Sequence, residues 1–353
     1  LGMAPDHQKA ILVSETGWVV LGQAEVPKLA PGKILVKIIA AAQNPADWKG
    51  VTLGRKTGAV VGCDFAGTVE EIGPGVPPGI RTVGERVAGF VRTATSSNGA
   101  FAEYVAAPAE VVVHVPDEWS FEDAAQLGIA PFTAAQTLFI TLNLPTPLSP
   151  TAESTPILIS GGSSSVGLYA IQLAKLSGLR VIATASPRNF DLLKSYGADE
   201  VYDYRDPDAA RKIKESTRGQ LKEALDCIGE DSTPTLISNA LSDSGGVVAI
   251  ITKYDSPRAG VKLIRSVVFS LLGEAFDLPF TFTPTAKDIE QGRNMTKLLS
   301  ETLASGKIKP NPVLVLPDGL ASVPEGLQYM KDGKAVSAQK ITYRISDTPT
   351  GDV

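Results

Sequence analysis

The 353-residue chain is poor in the residues that build disulfides, metal centres and catalytic triads. It contains two cysteines, Cys63 and Cys227, and two histidines, His7 and His114. Disulfide cross-links are therefore disfavoured, and we expect an intracellular, cytoplasmic protein. With so few cysteines and histidines, a zinc site or a Ser-His-Asp triad is disfavoured. His114 lies within the run VVVHV at 111–115, which predicts a buried strand.

Long apolar runs and dense basic stretches are also missing. No run reaches the roughly 18 residues needed to span a bilayer, and the start of the chain lacks the pattern of a secretory signal. The formal net charge is −5 with no basic stripe, which disfavours nucleic acid as a partner. We therefore expect an ordinary globular protein that binds neither membrane nor nucleic acid.

The chain is long enough for two domains, and its hydrophobic pattern changes along its length. Residues 3–125 are rich in β-branched residues and turn residues, which predicts a mainly β domain. Residues 126–300 alternate strands with helical stretches, which predicts a doubly wound parallel sheet. Residues 301–346 return to strands and turns and are assigned to the β domain, and 347–353 form a tail. The predicted fold class is α/β.

Five strands are predicted within the parallel sheet. They are Ile157–Ser160, Arg180–Ala185, Glu200–Tyr204, Ala224–Ile228 and Gly246–Ile251. The helix after the first strand is expected to end at Gly178, a residue suited to a left-handed cap. This arrangement predicts a Rossmann fold.

The strongest local pattern is the stretch ILISGGSSSVG at 157–167. A buried strand runs through small residues directly into a helix, so that backbone N–H groups and the helix N-terminus can face a pyrophosphate. Aligned on G-x-G-x-x-G, Gly162 and Gly167 are the first and third glycines, and Ser164 replaces the middle one. A plain strand-to-helix turn is the alternative interpretation.

The end of the second strand distinguishes NAD from NADP. NAD sites place an acid there, on the ribose 2′-hydroxyl, whereas this chain has Ser186-Pro187-Arg188-Asn189. A helix N-terminus that carries Arg188 suits a 2′-phosphate, with Tyr204 beside it at the end of the third strand. A purely structural helix cap is the alternative. The pattern favours NADPH as the cofactor.

Motifs elsewhere resemble the medium-chain dehydrogenase/reductase superfamily. GCDFAGTVEEIG at 62–73 resembles the signature of its GroES-like domain, and VGERV at 83–87 resembles the turn that follows. Zinc-dependent members have a cysteine and a histidine where this chain has Asn44 and Cys63, and the four-cysteine structural lobe is missing. The resemblance therefore implies a zinc-free reductase without a metal.

Within that superfamily the chain is similar to the lovastatin-type trans-acting enoyl reductases of fungal polyketide synthases. Residues 44–49, 185–192, 197–204, 224–228 and 272–274 carry this resemblance. It implies NADPH-dependent hydride transfer to the β-carbon of an α,β-unsaturated polyketide thioester, presented by an acyl-carrier domain to a monomer or homodimer. An NADPH:quinone or enone oxidoreductase acting on free small molecules is one alternative. A non-catalytic NADPH-binding protein is the other.

The resemblance also implies roles for individual residues. Thr133 and Lys49 are the implied catalytic residues; a helix cap and an exposed lysine after a turn are their structural alternatives. The implied cofactor contacts are Ala46, Asp47, Trp48, Lys49, Gly162, Ser163, Ser164, Ser165, Val166, Gly167, Ser186, Pro187, Arg188, Asn189, Tyr204, Ile250, Ile251, Val336 and Ser337. The implied substrate contacts are Asn44, Thr133, Ala134, Gly273, Glu274, Ala275 and Phe276.

Overall fold

A computed structural model describes residues 4–54, 56–230, 232–277, 280–334 and 337–351. These residues divide into two units. The first contains the described residues of Leu1–Ile129, Phe269–Ser300 and Pro310–Val353, and the second contains those of Ala130–Val268 and Glu301–Lys309.

The described residues include fifteen strands. They are β1 (His7–Val13), β2 (Val19–Glu25), β3 (Lys33–Ala42), β4 (Asp64–Ile72), β5 (Arg86–Phe90), β6 (Tyr104–Pro108), β7 (Val112–His114), β8 (Pro156–Ser160), β9 (Arg180–Ala185), β10 (Glu200–Asp203), β11 (Glu223–Asp226), β12 (Gly246–Ile250), β13 (Val261–Arg265), β14 (Val313–Leu316) and β15 (Lys340–Arg344).

The helices lie mostly between these strands. They are α1 (Pro45–Gly54), α2 (Phe121–Ala124), α3 (Ile129–Ala135), α4 (Ser165–Leu176), α5 (Phe190–Ser195), α6 (Ala209–Ser216), α7 (Thr233–Ala240), α8 (Ala286–Ala304) and α9 (Val323–Lys331). A π-helix, Gln136–Thr141, follows α3 directly, and a 3₁₀ helix, Pro187–Asn189, precedes α5. None of the described helices is long and apolar enough to cross a membrane.

The second unit is built on a parallel sheet in the order β10-β9-β8-β11-β12-β13. Its central strands read as continuous apolar runs, such as the fully buried Ile157–Ile159, because helices cover both faces of such a sheet. The predicted Rossmann fold is confirmed, and the ends of the five predicted strands shift by at most two residues. Helix α4 ends as predicted before Gly178, whose φ is +86°. The edge strand β13 was not predicted.

The first unit contains a mainly antiparallel sheet in the order β14-β15-β3-β4-β5-β7, with β6 also paired to β3. The C-terminal part of the chain joins this sheet where β15 pairs with β3 in antiparallel register. His114 lies on β7 as expected, but the prediction that it is buried is wrong. Its side chain is 59% exposed and its Nδ1 lies 3.3 Å from Glu85 Oε1.

Residues 269–300 cluster with the first unit, whereas the sequence pattern placed them with the Rossmann domain. A Cβ on Gly292 of α8 would lie 2.1 Å from the carbonyl oxygen of Leu271, so this helix packs tightly on the segment before it. Arg293 forms an ion pair of 2.7 Å with Glu110. A helical period predicts the helix but not the surface on which it packs.

Candidate active site

The carboxyl ends of the parallel strands meet at one edge of the second unit. Strand order reverses at β8, which has β9 on one side and β11 on the other. In a doubly wound sheet the crevice outside this switch point is where ligands bind. The residues at and just after these strand ends therefore form the first part of the candidate site.

The loop from β8 into α4 is organised around Ser164. This residue is the N-cap of α4, and its Oγ accepts a hydrogen bond of 3.0 Å from the backbone N–H of Gly167. Gly162 N–H in turn donates to the carbonyl oxygen of Thr184 on β9, at 2.8 Å. Ser164 is the residue that departs from the G-x-G-x-x-G pattern. In the structure it caps the N-terminus of α4.

Three glycines allow this loop to pack closely. A Cβ on Gly167 would lie 2.4 Å from the carbonyl oxygen of Gly161, and one on Gly162 would lie 2.7 Å from Leu193 Cδ2. Gly161 has a φ of +73°, and a Cβ there would lie 2.5 Å from Ile228 Cγ1. The sequence analysis did not assign a role to Gly161. Its position directly before Gly162 could have indicated that it belongs to the same tight turn. Ser163 lies in the loop, Ser165 and Val166 begin α4, and all three are partly exposed.

The segment after β9 carries an exposed cation. Ser186 occupies the N-cap position of the 3₁₀ helix Pro187–Asn189, but its side chain makes no capping hydrogen bond. Arg188 is exposed and forms no ion pair with any described residue. Asn189 is buried. Arg188 is therefore the residue of this segment whose charge is available to a ligand.

A second arginine stands at the end of the neighbouring strand. β10 pairs in parallel with β9, with Asp203 opposite Ala185, which brings the two strand ends together. Tyr204 is exposed, and the Arg205 guanidinium lies 5.5 Å from the centroid of its ring. Arg205 also forms an ion pair of 3.0 Å with Asp203. Sequence reasoning named Tyr204 but missed Arg205, which follows it directly.

Ile250 ends β12 and Ile251 follows it, and the two differ in exposure. Ile250 belongs to the buried core cluster of the second unit, whereas Ile251 is partly exposed. On the adjacent β11, Asp226 Oδ1 accepts hydrogen bonds from the backbone N–H groups of Ile228 and Gly229, both at 3.0 Å. Ile251 is thus the better placed of the pair to face a ligand.

Thr133 lies inside α3, so its interpretation as a helix cap is wrong: the helix begins four residues earlier, at Ile129. The hydroxyl of Thr137, in the π-helix that follows, donates to the carbonyl oxygens of Thr133 and Ala134 at 2.8 and 2.9 Å. π-helical turns are frequent at functional sites. Both carbonyl groups therefore accept a hydrogen bond from a side chain of the π-helix.

In the first unit, α1 carries the predicted cofactor contacts in its first turn. Lys49 is exposed on this helix, and its ammonium lies 5.6 Å from the centroid of the Trp48 ring. Trp48 packs against the core of the β unit, and Ala46 is partly exposed. Lys49 is thus on a helix rather than after a turn.

The side chains of Asn44 and Asp47 are buried in the first unit, and their contacts with substrate and cofactor stay predictions. Asp47 is fully buried, and its Oδ2 accepts a hydrogen bond of 2.7 Å from the backbone N–H of Asn44. The Asn44 Oδ1 accepts one of 2.5 Å from the Nζ of Lys340. These side chains hold the turn before α1. Burial also raises the pKa of Asp47 from 3.8 to about 7.

The segment predicted to line an acyl pocket is held by charged neighbours. Glu274 forms an ion pair of 2.7 Å with Lys33, and Phe276 lies 4.4 Å from the guanidinium of Arg92. Ala275 is exposed, while Gly273 has a φ of +65°. Of the two late cofactor contacts, Ser337 is partly exposed, and Val336 lies outside the described residues.

Two family models match the chain, one in each unit. The alcohol dehydrogenase GroES-like domain matches residues 30–117, and the zinc-binding dehydrogenase domain matches residues 165–267. Among solved structures, the human synaptic vesicle membrane protein VAT-1 homolog-like protein superposes with a TM-score of 0.75 at 22% identity, covering 98% of this chain and all of that one. CurK enoyl reductase superposes with a TM-score of 0.73 at 20% identity, covering 96% and 99% of the two chains. These likenesses concern the fold.

Relatives at higher identity extend along nearly the whole chain. Trans-enoyl reductase ACTTS2 of Alternaria alternata is 39% identical over 345 residues, which cover 96% of this chain and 99% of the relative. Trans-enoyl reductase buaC of Petromyces alliaceus is 36% identical over 351 residues, with coverage of 97% and 98%. The chain therefore belongs to the trans-enoyl reductase family of the medium-chain dehydrogenase/reductase superfamily, and it is an oxidoreductase that uses a nicotinamide cofactor.

Proposed function

We propose that this chain is an NADPH-dependent, trans-acting enoyl reductase, which delivers hydride to the β-carbon of an α,β-unsaturated polyketide thioester. The observation that carries the cofactor assignment is the exposed Arg188 at the end of β9, where an NAD site would need an acid. The substrate assignment is supported by full-length relatives that are named trans-enoyl reductases.

The second unit fits a dinucleotide with a 2′-phosphate. The N-terminus of α4 offers backbone donors and a favourable dipole to the pyrophosphate, and the glycines before it permit close approach. Arg188 would bind the 2′-phosphate through charge-assisted hydrogen bonds. At the end of the neighbouring strand, the charge of Asp203 is offset by its ion pair with Arg205.

The residues proposed for chemistry stabilise developing charge. Bound NADPH supplies the hydride. As the double bond is reduced, negative charge builds on the thioester oxygen, and preorganised donors stabilise it. We assign this task to the Thr133 hydroxyl and the Lys49 ammonium. Uptake of a proton at the α-carbon completes the reduction.

The proposal extends to the acyl chain and its carrier. The chain is proposed to lie along Gly273–Phe276, with Phe276 as a wall held by Arg92. The thioester would be presented by the acyl-carrier domain of a polyketide synthase in the cytoplasm, to a monomer or a homodimer of this protein.

The test is to follow the loss of reduced-nicotinamide absorbance with a crotonyl-pantetheine thioester, alongside 1,4-naphthoquinone, and to repeat both with NADH. We expect thioester reduction with NADPH and little with NADH. Turnover of the quinone alone would favour an oxidoreductase of free small molecules. NADPH binding without turnover of either acceptor, even with an acyl-carrier substrate, would favour a binding protein.

A further inference from the structure

A group of charged and polar side chains lies buried in the first unit. We call it the buried ion cluster, and its members are Asn44, Asp47, Cys63, Asp64 and Lys340. Asp47 and Asp64 are fully buried, and the Lys340 side chain is 3% exposed. Buried charges are costly unless partners surround them. We therefore describe the partners of each charged group in the cluster.

Lys340 connects the cluster to the start of α1. Its Nζ donates to Asn44 Oδ1 at 2.5 Å, and the backbone N–H of Asn44 donates to Asp47 Oδ2 at 2.7 Å. Asn44 directly precedes α1, and Asp47 lies in its first turn. The ammonium of Lys340 on β15 thus holds Asn44, the residue before α1, and α1 carries Lys49.

Lys340 also connects the cluster to the start of α3. Its Nζ lies 3.7 Å from Asp64 Oδ2, while Asp64 Oδ1 accepts a hydrogen bond of 2.8 Å from the backbone N–H of Ile129. Ile129 is the first residue of α3, and its N–H has no acceptor within the helix. The carboxylate that Lys340 neutralises therefore holds the first residue of the helix that carries Thr133.

The charges of the cluster do not cancel if both carboxylates are ionised. Burial raises the pKa of Asp47 to about 7 and that of Asp64 to about 6, although Lys340 opposes the shift of both. Burial also raises the pKa of the Cys63 thiol well above its usual range. Lys340 opposes the upward pKa shift of each of these three groups.

We propose that Lys340 is a positioning residue for the reductase. Its ammonium holds the first turns of α1 and α3 in place without contacting substrate or cofactor. The inference rests on the proposed function, since Lys49 and Thr133 act in it. Buried ion pairs contribute little net stability compared with apolar side chains of similar volume. A role in geometry explains the cluster better than a role in stability.

The test compares Lys340→Met with the double variant Lys340→Met/Asp64→Asn. The single variant leaves a buried carboxylate unpaired, so its melting temperature falls. The double variant removes that charge and retains an acceptor for Ile129, but Asn44 still lacks its donor. We expect the double variant to recover most of the melting temperature while kcat stays about ten- to a hundredfold below wild type. The Kd for NADPH, measured by cofactor fluorescence, should be unchanged.

Thr342→Val is the matched control. Thr342 lies two residues along the same strand, and its buried hydroxyl has no hydrogen-bond partner among the described residues. This variant should keep the kcat of the wild type. Recovery of both melting temperature and kcat in the double variant would show that Lys340 only balances charge, and would overturn the proposal. Failure of both lysine variants to fold would overturn it too, because the ammonium would then be required for folding itself.

The wild-type assay separates this inference from the proposed function. If the wild type reduces 1,4-naphthoquinone but not the crotonyl thioester, the substrate assignment fails. The ratio of variant to wild-type kcat is then measured with the quinone and still decides the role of Lys340.

Discussion

Arg188 and Asp47 are two charged residues whose environments differ completely. Arg188 is exposed and forms no ion pair with any described residue, whereas Asp47 is fully buried beneath the first turn of α1. Exposure leaves the guanidinium free for an anionic ligand, while burial turns the carboxylate into a structural acceptor. A cofactor contact stays a prediction for both residues, but the structure gives their charges different surroundings.

Replacing Arg188 with alanine should weaken NADPH selectively. The lost charge-assisted contact with the 2′-phosphate is worth about 1.5–3 kcal/mol, so the KM for NADPH should rise about ten- to a hundredfold. The KM for NADH should not change, because NADH lacks that phosphate. Steady-state kinetics with both cofactors provide the measurement. The control is Arg211→Ala, which removes an exposed arginine that is paired with Glu215 on α6. Equal effects of the two substitutions would remove Arg188 from the site.

Asp47 should make the stability of the protein depend on pH. Its pKa in the folded state, about 7, lies above the ordinary value of 3.8, so the folded state binds the proton more tightly than the unfolded state. This contribution to stability is present at low pH and is lost as the pH rises from about 4 to about 7. Asp64 adds to it, with a pKa of about 6.

The measurement is denaturant unfolding of the wild type and Asp47→Asn at pH 5 and pH 8. Asparagine keeps an acceptor for the Asn44 N–H but cannot ionise. Between these pH values the wild type should lose about 1–3 kcal/mol more stability than the variant. Parallel curves for the two proteins would mean that Asp47 stays ionised in the folded state.

The β8–α4 loop combines two properties that sequence reasoning treated separately. Its glycines are required by packing, since a Cβ at Gly162 or Gly167 would collide with Leu193 or Gly161. Ser164 caps the helix whose N-terminus is proposed to face the pyrophosphate. The departure from the glycine motif therefore preserves the helix end instead of weakening it.

Ser164→Ala should affect NADPH and NADH alike. Losing the cap costs about 1 kcal/mol of stability and loosens the first turn of α4, which would contact the pyrophosphate common to both cofactors. Both dissociation constants should rise by a similar factor in fluorescence titrations. Ser120→Ala removes the comparable cap of α2 and should lower stability without changing either constant. A change confined to NADPH would show that Ser164 lies by the 2′-phosphate.

On α3, Thr133→Val should separate catalysis from binding. Removing one donor to the developing oxyanion lowers kcat by about a hundredfold, and the isosteric valine leaves the helix intact. The Kd for NADPH should be unchanged, as measured by fluorescence. Lys49→Ala should likewise lower kcat, with Lys56→Ala as its control. Wild-type turnover in both Thr133→Val and Lys49→Ala would refute the assignment of the catalytic residues.

At the scale of the whole molecule, ligand binding is linked to folding. A cofactor present at about 100 times its Kd stabilises the folded state by about 2.7 kcal/mol. NADPH should therefore raise the melting temperature of the wild type more than the same concentration of NADH does. Arg188→Ala should abolish the difference, which differential scanning fluorimetry can measure. An equal shift from both cofactors in the wild type would contradict the NADPH preference.

The sequence by itself determined the parallel sheet, the glycine loop and the absence of an acid after β9. Each of these depends on local spacing or on the identity of single residues, such as Gly167 or Arg188, which the sequence displays directly. The positions of the strand ends were therefore correct to within two residues.

Only the tertiary structure decided which side chains are buried and which distant residues meet. The sequence did not show that Asp47 and Lys340 lie buried in one cluster. Their cluster forms because β15 pairs with β3 although some 300 residues separate them. Long-range pairing creates the low-dielectric surroundings that change what a charged group can do. No pattern within the neighbouring sequence carries that information.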